Sequence, residues 1–214
     1  MTAHSCRLAA DLPLQILMPR GQRETPGGFV YHVYNRGSRR GPIFKGSADY
    51  DKFIELMEEA RLRYPVRIIG HALMRTHIHL VLWPRQDNVI PWFMQWLTGI
   101  YARVWHSRRG TKGTGAVFQS RYGLTAVEND FQYFSTLLYV ERNPLEANYV
   151  DYADEWPWTS ACPGDSEHPP FDSDPGPLAR WPNWHQCLNA PRRSAKIALA
   201  PFAWYRHETG QTPT

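Results

Sequence analysis

The sequence has few cysteines and no long apolar run. Its three cysteines, Cys6, Cys162 and Cys187, lie far apart, and an odd, scattered set forms neither a disulfide framework nor a zinc knuckle. No stretch approaches the roughly 20 apolar residues that a membrane-spanning helix needs. The apolar segment Leu12 to Met18 is short and lacks the small-residue cleavage site of a secretory signal. These absences favour a protein of the reducing cytoplasm, with no role in a membrane.

Positive and negative charges are also nearly balanced in number. The chain has 24 Lys and Arg against 20 Asp and Glu, a net charge of +4 and a pI of about 9.0, and many proteins that never bind DNA share such values. The basic residues are clustered, however, at Arg36, Arg39 and Arg40 and at Arg103, Arg108, Arg109 and Lys112. These clusters favour a phosphate-binding surface, and ordinary solvated loops are the alternative.

The 214 residues are enough for one domain with extensions. Residues 1–17 show no periodicity, which predicts a disordered leader, and residues 18–160 form the predicted catalytic domain. From Pro163 to Pro182 prolines and acids dominate, so we expect residues 161–214 to form a Pro-rich connector and a short C-terminal tail.

Hydrophobic periodicity predicts an alternation of strands and helices. The predicted strands are residues 29–35, 66–74, 77–83 and 117–128, the last with a kink at Gly123, and the predicted helices are residues 47–63, 89–106 and 130–142. Ser47 or Asp49 is the expected cap of the first helix, and the tight Arg75-Thr76 link predicts a hairpin. This order indicates an α+β domain with an antiparallel, ferredoxin-like sheet.

Two histidines interrupt the most apolar of these strands. Side chains on a strand alternate between its faces, so His77 and His79 point the same way. The residues that face the other way are Ile78, Leu80 and Leu82, which can cover a core. Two neighbouring imidazoles can hold one divalent metal, and a surface or half-buried histidine pair without a metal is the alternative.

The helix that begins at Asp130 has two distinct faces. At 100° per residue its apolar side gathers Phe131, Phe134, Leu137 and Leu138. Tyr139 and Asn143 lie one turn apart on the polar side, whereas Glu141 falls among the apolar residues without an explanation in the pattern. A phenol, with an ordinary pKa of about 10, is a weak nucleophile until its target is polarised or a base removes its proton. A metal on the two histidines can supply that polarisation, and an oxygen ligand from Asn143 suits Mg²⁺ or Mn²⁺.

Four segments in a fixed order resemble a known family. They are Tyr31 to Gly37, Leu73 to Leu80, Phe118 to Tyr122 and Tyr139 to Pro144. Together they are similar to the single-tyrosine, His-hydrophobic-His transposases, and more narrowly to the bacterial REP-associated tyrosine transposases, which are linked to repetitive extragenic palindromes. The resemblance covers roughly residues 18–160. Arg75-Thr76 departs from the Pro-Asn that is common before the histidines in relatives.

The resemblance implies cleavage and rejoining of single-stranded DNA at palindromic hairpins, through a 5′-phosphotyrosine and a free 3′-hydroxyl. Tyr139 is then the nucleophile, and His77, His79 and Asn143 bind Mg²⁺ or Mn²⁺. The expected partner is hairpin DNA, and the expected DNA-binding residues are Arg36, Arg39, Arg40, Arg103, Arg108, Arg109, Lys112 and Arg121. Related single-tyrosine transposases exchange the tyrosine helix between subunits, whereas the REP-associated group works as monomers, and a monomer is favoured here.

Two other functions remain open at the level of sequence. The same sheet and basic loops can bind hairpin DNA or RNA without catalysis. A zinc hydrolase can use His77 and His79 with His32 or His71 as a further ligand, although no third His or carboxylate stands at a zinc-like spacing. A covalent protein–DNA adduct distinguishes the transposase from both.

Overall fold

The computed structural model describes residues 23–164, 168 and 171–191. The predicted leader and the tail beyond residue 191 lie outside these residues. The main elements are β1 (Val30–Arg36), α1 (Ser47–Arg63), β2 (Val66–Met74), β3 (His77–Pro84), α2 (Val89–Arg109), β4 (Gly123–Val127), α3 (Asp130–Glu141), α4 (Asn143–Glu146) and α5 (Trp184–Asn189). Short 3₁₀ turns lie at Ser38–Arg40 and Ala153–Glu155.

The four strands form one antiparallel sheet in the order β2-β3-β1-β4. With α1 and α2 as its connections, this is the predicted ferredoxin-like arrangement, and the prediction is confirmed. β2 and β3 are joined by the two-residue turn Arg75-Thr76, so that Met74 lies opposite His77. The backbone carbonyl oxygen of Arg75 accepts hydrogen bonds from the amides of Ile43 and Phe44, so the turn is held from outside the hairpin.

Both faces of the sheet are covered. Ile78, Leu80 and Leu82 of β3 pack with α1 and α2 on one face, as the alternation in the sequence predicts. On the other face Val81 packs with Leu137 of α3 and other residues of that helix and α5. Burying one large apolar side chain is worth about 1.5–3 kcal/mol. The buried α3 residues Phe134, Leu137 and Leu138 therefore attach the helix firmly to the face that carries the histidines.

Three local predictions differ from the structure. Residues 117–122 form a loop with one bridge between Phe118 and Gly37, and only Gly123–Val127 is a strand. The loop crosses the end of β1, where the amide of Gln119 donates to the carbonyl oxygen of Arg36. α2 runs to Arg109, three residues further than predicted, and α1 follows Gly46 without a side-chain cap.

The segment predicted as a connector contacts the sheet over its described residues. Residues 171–182 have no regular structure, but the amide of Asp174 donates to the carbonyl oxygen of Ile68 at 2.9 Å. Trp184, Cys187 and Leu188 of α5 are buried in the same core as α3. Within the described ranges, none of the helices is long and apolar enough to cross a membrane.

Candidate active site

His77 and His79 lie side by side near the start of β3, on the sheet face that α3 covers. Their ring centroids are 5.1 Å apart, and the Nδ1 atom of each ring forms a hydrogen bond with a neighbour. His77 Nδ1 shares a hydrogen bond with Thr76 Oγ1 at 3.1 Å, and His79 Nδ1 shares one with His32 Nε2 at 2.9 Å. Such bonds fix the orientation of an imidazole and direct its second nitrogen elsewhere.

Tyr139 on the polar face of α3 and Asn143, the first residue of α4, lie beside these rings. The Tyr139 ring lies 5.4 Å from the His79 ring, edge to face, and its side chain is 52% exposed. Asn143 Oδ1 lies 3.1 Å from His77 Nε2. The start of α3 is capped by Asn129, whose side-chain oxygen accepts a hydrogen bond from the amide of Gln132.

Burial keeps the imidazoles neutral. Loss of solvent lowers the pKa of His32 to about 4 and, together with the neighbouring His32, His77 and Arg36, lowers the pKa of His79 to about 2. Burial is also the main cause of the lowered pKa of His77, which the hydrogen bond with Asn143 partly opposes. A neutral imidazole has the lone pair that a metal ligand needs.

The donor set fits a hard divalent cation. His77 Nε2 donates a hydrogen bond to Asn143 Oδ1 at 3.1 Å, and a cation held by both atoms would take the place of that proton. His79 Nε2 is the remaining ring nitrogen of the pair. The amide oxygen is the ligand that suits Mg²⁺ or Mn²⁺, whereas imidazole nitrogen also suits Zn²⁺ and Fe²⁺. Over the described ranges, no cluster of three or more His, Cys, Asp or Glu side chains is arranged for a metal. The zinc hydrolase alternative therefore has no identified third ligand beside His77 and His79.

An open pocket of about 370 Å³ lies above these groups. Its lining residues are Tyr34, Asn35, Arg36, His77, His79, Gln119, Ser120, Arg121, Gly123 and Tyr139. Arg36 and Arg121 make the pocket positive, as an anionic substrate requires. The Tyr34 ring lies against Gly123 so closely that a Cβ there would stand 2.1 Å from the ring, so only glycine fits beneath this ring.

The predicted DNA-binding residues fall into three groups. Arg36 and Arg121 line the active-site pocket, and Arg39 and Arg40 form the adjacent 3₁₀ turn with positive φ angles. Arg103 and Lys112 line a separate pocket beside the end of α2.

Arg108 and Arg109 form the third group. Both guanidinium groups pair with Asp49 near the start of α1, and Arg109 also covers the Trp105 ring. These two arginines therefore join α1 to α2, in addition to any contact they make with DNA.

Two residues of the site were not assigned to it by sequence reasoning. His32 was considered only as a zinc ligand, and Tyr34 not at all. Pairing of β1 with β3 places Tyr34 directly opposite His79 and lets His32 stack on that ring with centroids 5.1 Å apart. The signal was the alternation of His32 and Tyr34 on β1, which becomes informative only when the strand order is known.

Comparisons with known proteins relate the chain to transposases. Residues 27–143 match the family model described as "Transposase IS200 like". A solved REP-associated tyrosine transposase bound to a REP hairpin is similar in fold, with a TM-score of 0.55, 17% identity, and coverage of 77% of this chain and 94% of the other. A candidate transposase from Deinococcus radiodurans R1 has a TM-score of 0.40 and 19% identity, and the match covers 52% and 88% of the two chains. No curated protein matches the chain.

Proposed function

The chain belongs to the IS200-like transposase family, and on this basis we propose that it cleaves and rejoins single-stranded DNA at hairpins, with Tyr139 as nucleophile. One observation carries the proposal. The exposed hydroxyl-bearing side chain of Tyr139 stands beside His79, while Asn143 of the next turn meets His77. A nucleophile and a ligand set for a hard metal thus share one positive pocket.

The reaction follows from the positions of these groups. Arg36 and Arg121 line the pocket and would neutralise the charge of a phosphodiester that enters it. Tyr139 Oη attacks phosphorus, the bond from phosphorus to the 3′ oxygen breaks, and the 5′ phosphate becomes attached to the tyrosine. The phenol proton passes to water, and the leaving 3′ oxygen takes up a proton from water. Attack of a 3′-hydroxyl on the phosphotyrosine reverses these steps and rejoins DNA.

His77, His79 and Asn143 are the residues that would hold Mg²⁺ or Mn²⁺. When bound, such an ion acts as a Lewis acid on the phosphodiester oxygen. The protein supports this ligand set with Thr76 and His32, whose hydrogen bonds orient the two rings. Because α3 is fixed on the same sheet face, Tyr139 is positioned before the substrate arrives, which reduces the entropic cost of the reaction.

Hairpin DNA is the proposed substrate for two reasons. The similar solved transposase is bound to a REP hairpin, and the basic turn Ser38–Arg40 comes two residues after Arg36 of the pocket. Single-stranded substrate suits an open pocket, because the scissile phosphate of a flexible strand can reach Tyr139 without opening a duplex. The exposed ring of Tyr34 in the pocket wall offers a base a surface for stacking.

A denaturing gel with a single-stranded hairpin oligonucleotide and Mn²⁺ tests the proposal. We expect the unaltered chain to carry covalently attached DNA, which migrates as a slower protein band. Tyr139→Phe keeps the ring but removes the attacking oxygen, so the adduct should be lost while hairpin binding persists.

Tyr149→Phe is the matched control, because Tyr149 is also exposed and packs on Trp156 away from the pocket. Tyr149→Phe should form the adduct at the same rate as the unaltered chain. Adduct formation by Tyr139→Phe would exclude Tyr139 as nucleophile. Hairpin binding without any adduct from the unaltered chain would instead support the catalytically silent binding function.

A further inference from the structure

We infer that Glu141 and Arg142 are positioning residues, which use the segment 174–190 to hold Tyr139 and Asn143 in register over the two histidines. This inference rests on the proposed function of Tyr139. Both residues lie between the nucleophile and the amide ligand in the chain, and both are buried, with exposures of 0% and 7%. A buried charge is costly unless it is paired, so their partners define their role.

The carboxylate of Glu141 has three partners from outside α3. Arg180 Nη2 donates to Oε1 at 2.6 Å, Ser160 Oγ donates to the same oxygen at 2.8 Å, and the indole nitrogen of Trp184 donates to Oε2 at 2.6 Å. Arg180 also donates to the carbonyl oxygen of Ile69 on β2 at 2.9 Å. Glu141 therefore links α3 to the edge strand and to the C-terminal segment at one point.

Arg142 makes the second link. Its Nη1 donates to the backbone carbonyl oxygens of Cys187, Leu188 and Ala190 at the end of α5, and its Nε and Nη2 pair with Glu146 of α4. Free carbonyl groups at a helix end carry partial negative charge, which a guanidinium neutralises. α5 is thereby attached to the junction between α3 and α4.

The position of these links gives them a functional consequence. α3 ends at Glu141, and Asn143 begins α4 after the single residue Arg142. The relative position of Tyr139 and Asn143 thus depends on the backbone at Glu141 and Arg142. A displacement of about 1 Å at a reacting group can reduce a rate about 100-fold, so fixing this junction affects the chemistry and not only stability.

Because Gly70 of β2 has no side chain, Ser160 and Arg180 can approach the carboxylate of Glu141. A Cβ at this position would lie 3.0 Å from Leu137, 3.2 Å from Ser160 Oγ and 3.6 Å from Arg180 Nη2. The glycine stands beside an irregularity in the pairing of β2 with β3, between Ile68 and Gly70. The edge strand is therefore shaped to admit the side chains that meet Glu141.

Arg180→Met tests the inference, because methionine keeps an unbranched apolar chain and removes the charge that meets Glu141. We expect the single-turnover rate of adduct formation per folded molecule to fall roughly 10- to 100-fold, with hairpin affinity unchanged. Arg180→Lys keeps a cation and should restore most of the rate. If Arg180→Met does not fold, Trp184→Phe removes one N–H donor to Glu141 and keeps an aromatic ring.

Arg67→Met is the matched control. Arg67 pairs with Asp174 of the same segment at 3.4 Å, and this ion pair does not involve α3. Arg67→Met should leave the rate of adduct formation unchanged. A second readout does not depend on cleavage: the ¹⁵N resonances of the His77 ring, which report the hydrogen bond with Asn143, should shift in Arg180→Met and remain in place in Arg67→Met.

The two readouts separate the inference from the proposed function. If the unaltered chain forms no adduct, the proposed function fails, and a selective shift of the His77 resonances still supports the positioning role. If neither the rate nor the His77 resonances of Arg180→Met and Trp184→Phe differ from those of Arg67→Met, Glu141 and Arg142 only attach the C-terminal segment, and the inference is wrong.

Discussion

Asn143 shows how the role of one residue depends on its neighbours. As the first residue of α4 it lies one turn beyond Tyr139, and its amide oxygen lies 3.1 Å from His77 Nε2. At an ordinary surface position, water would solvate the side-chain amide of an asparagine. Here the nearby imidazole nitrogen of His77 makes the amide oxygen a candidate metal ligand.

Asn143→Ala should weaken the binding of Mn²⁺ roughly 10- to 100-fold, the loss typical of supporting groups at metal sites. His77→Ala should weaken it further, because it removes an imidazole ligand. Isothermal titration of the protein with Mn²⁺ measures both effects. His106→Ala is the control, since His106 bonds to Thr111 at the far end of α2. Equal Mn²⁺ affinity in all three variants would contradict the assigned ligands.

At the scale of elements, the position of Tyr139 depends on how α3 begins and where it lies. The helix starts behind the Asn129 cap and rests on β2 and β3 through Phe134, Leu137 and Leu138. The apolar residues set the depth of the helix on the sheet. The cap stabilises its first turn, where backbone amides have no partners within the helix.

Asn129→Ala should reduce the free energy of unfolding by about 1 kcal/mol, because one side-chain acceptor for the amide of Gln132 is lost. Asn129→Asp should keep most of the stability, since aspartate is an equally good cap. Urea denaturation followed by circular dichroism gives both values. A loss with aspartate as large as that with alanine would show that the cap is not the cause.

A second element, the turn Ser38–Arg40, adds basic residues close in the chain to Arg36 of the pocket. Its Arg39 and Arg40 have φ angles of 53° and 58°, and the amide of Ser38 donates to the carbonyl oxygen of Val117. The turn is therefore joined to the loop that carries Arg121. Phosphate contacts from this surface would release counterions, which makes binding salt-dependent.

Changing Arg36, Arg39 and Arg40 together to Gln should weaken hairpin binding and flatten its salt dependence. Each single-strand phosphate contact adds about 0.7 to the slope of log K against log salt, so three contacts add roughly 2. Fluorescence anisotropy at several salt concentrations measures the slope. Substituting Arg61, Arg63 and Arg85, which lie outside the pocket, makes an equal change of charge. An equal effect of both triple variants would refute the proposed surface.

At the scale of the whole molecule, one chain supplies every group of the candidate site. His77 and His79 come from β3, His32 and Tyr34 from β1, and Tyr139 from α3 packed on the same sheet. The attachment of α3 to residues 174–190 would have to break before this helix could move to a second subunit. We therefore propose that a single chain is sufficient for the reaction.

We therefore expect a monomer of 24.8 kDa by light scattering at micromolar concentration. Mixing Tyr139→Phe with His77→Ala should yield no adduct, because each chain lacks one essential group of its own site. Subunits that exchanged α3 would restore one intact site in such a mixture. Adduct formation by the mixture, or a stable dimer, would contradict the prediction.

The sequence by itself determined the features that depend on local periodicity. Strand alternation placed His77 and His79 on one face of a strand. Helical periodicity placed Tyr139 and Asn143 on the polar side of a helix. The end of α1 and the bounds of β2 also follow from these patterns and match the structure. Patterns of this kind need only neighbouring residues, because the backbone geometry of a strand or helix fixes the direction of each side chain.

Only the tertiary structure decided which distant residues meet. His32 meets His79 across 47 residues, Arg109 meets Asp49 across 60, and Arg180 meets Glu141 across 39. No periodicity connects such positions, since each contact depends on strand order, on the face that a helix covers or on the path of an irregular segment. Glu141, unexplained on an apolar helix face, became intelligible only when the C-terminal segment was seen to bring Arg180 and Trp184 to it.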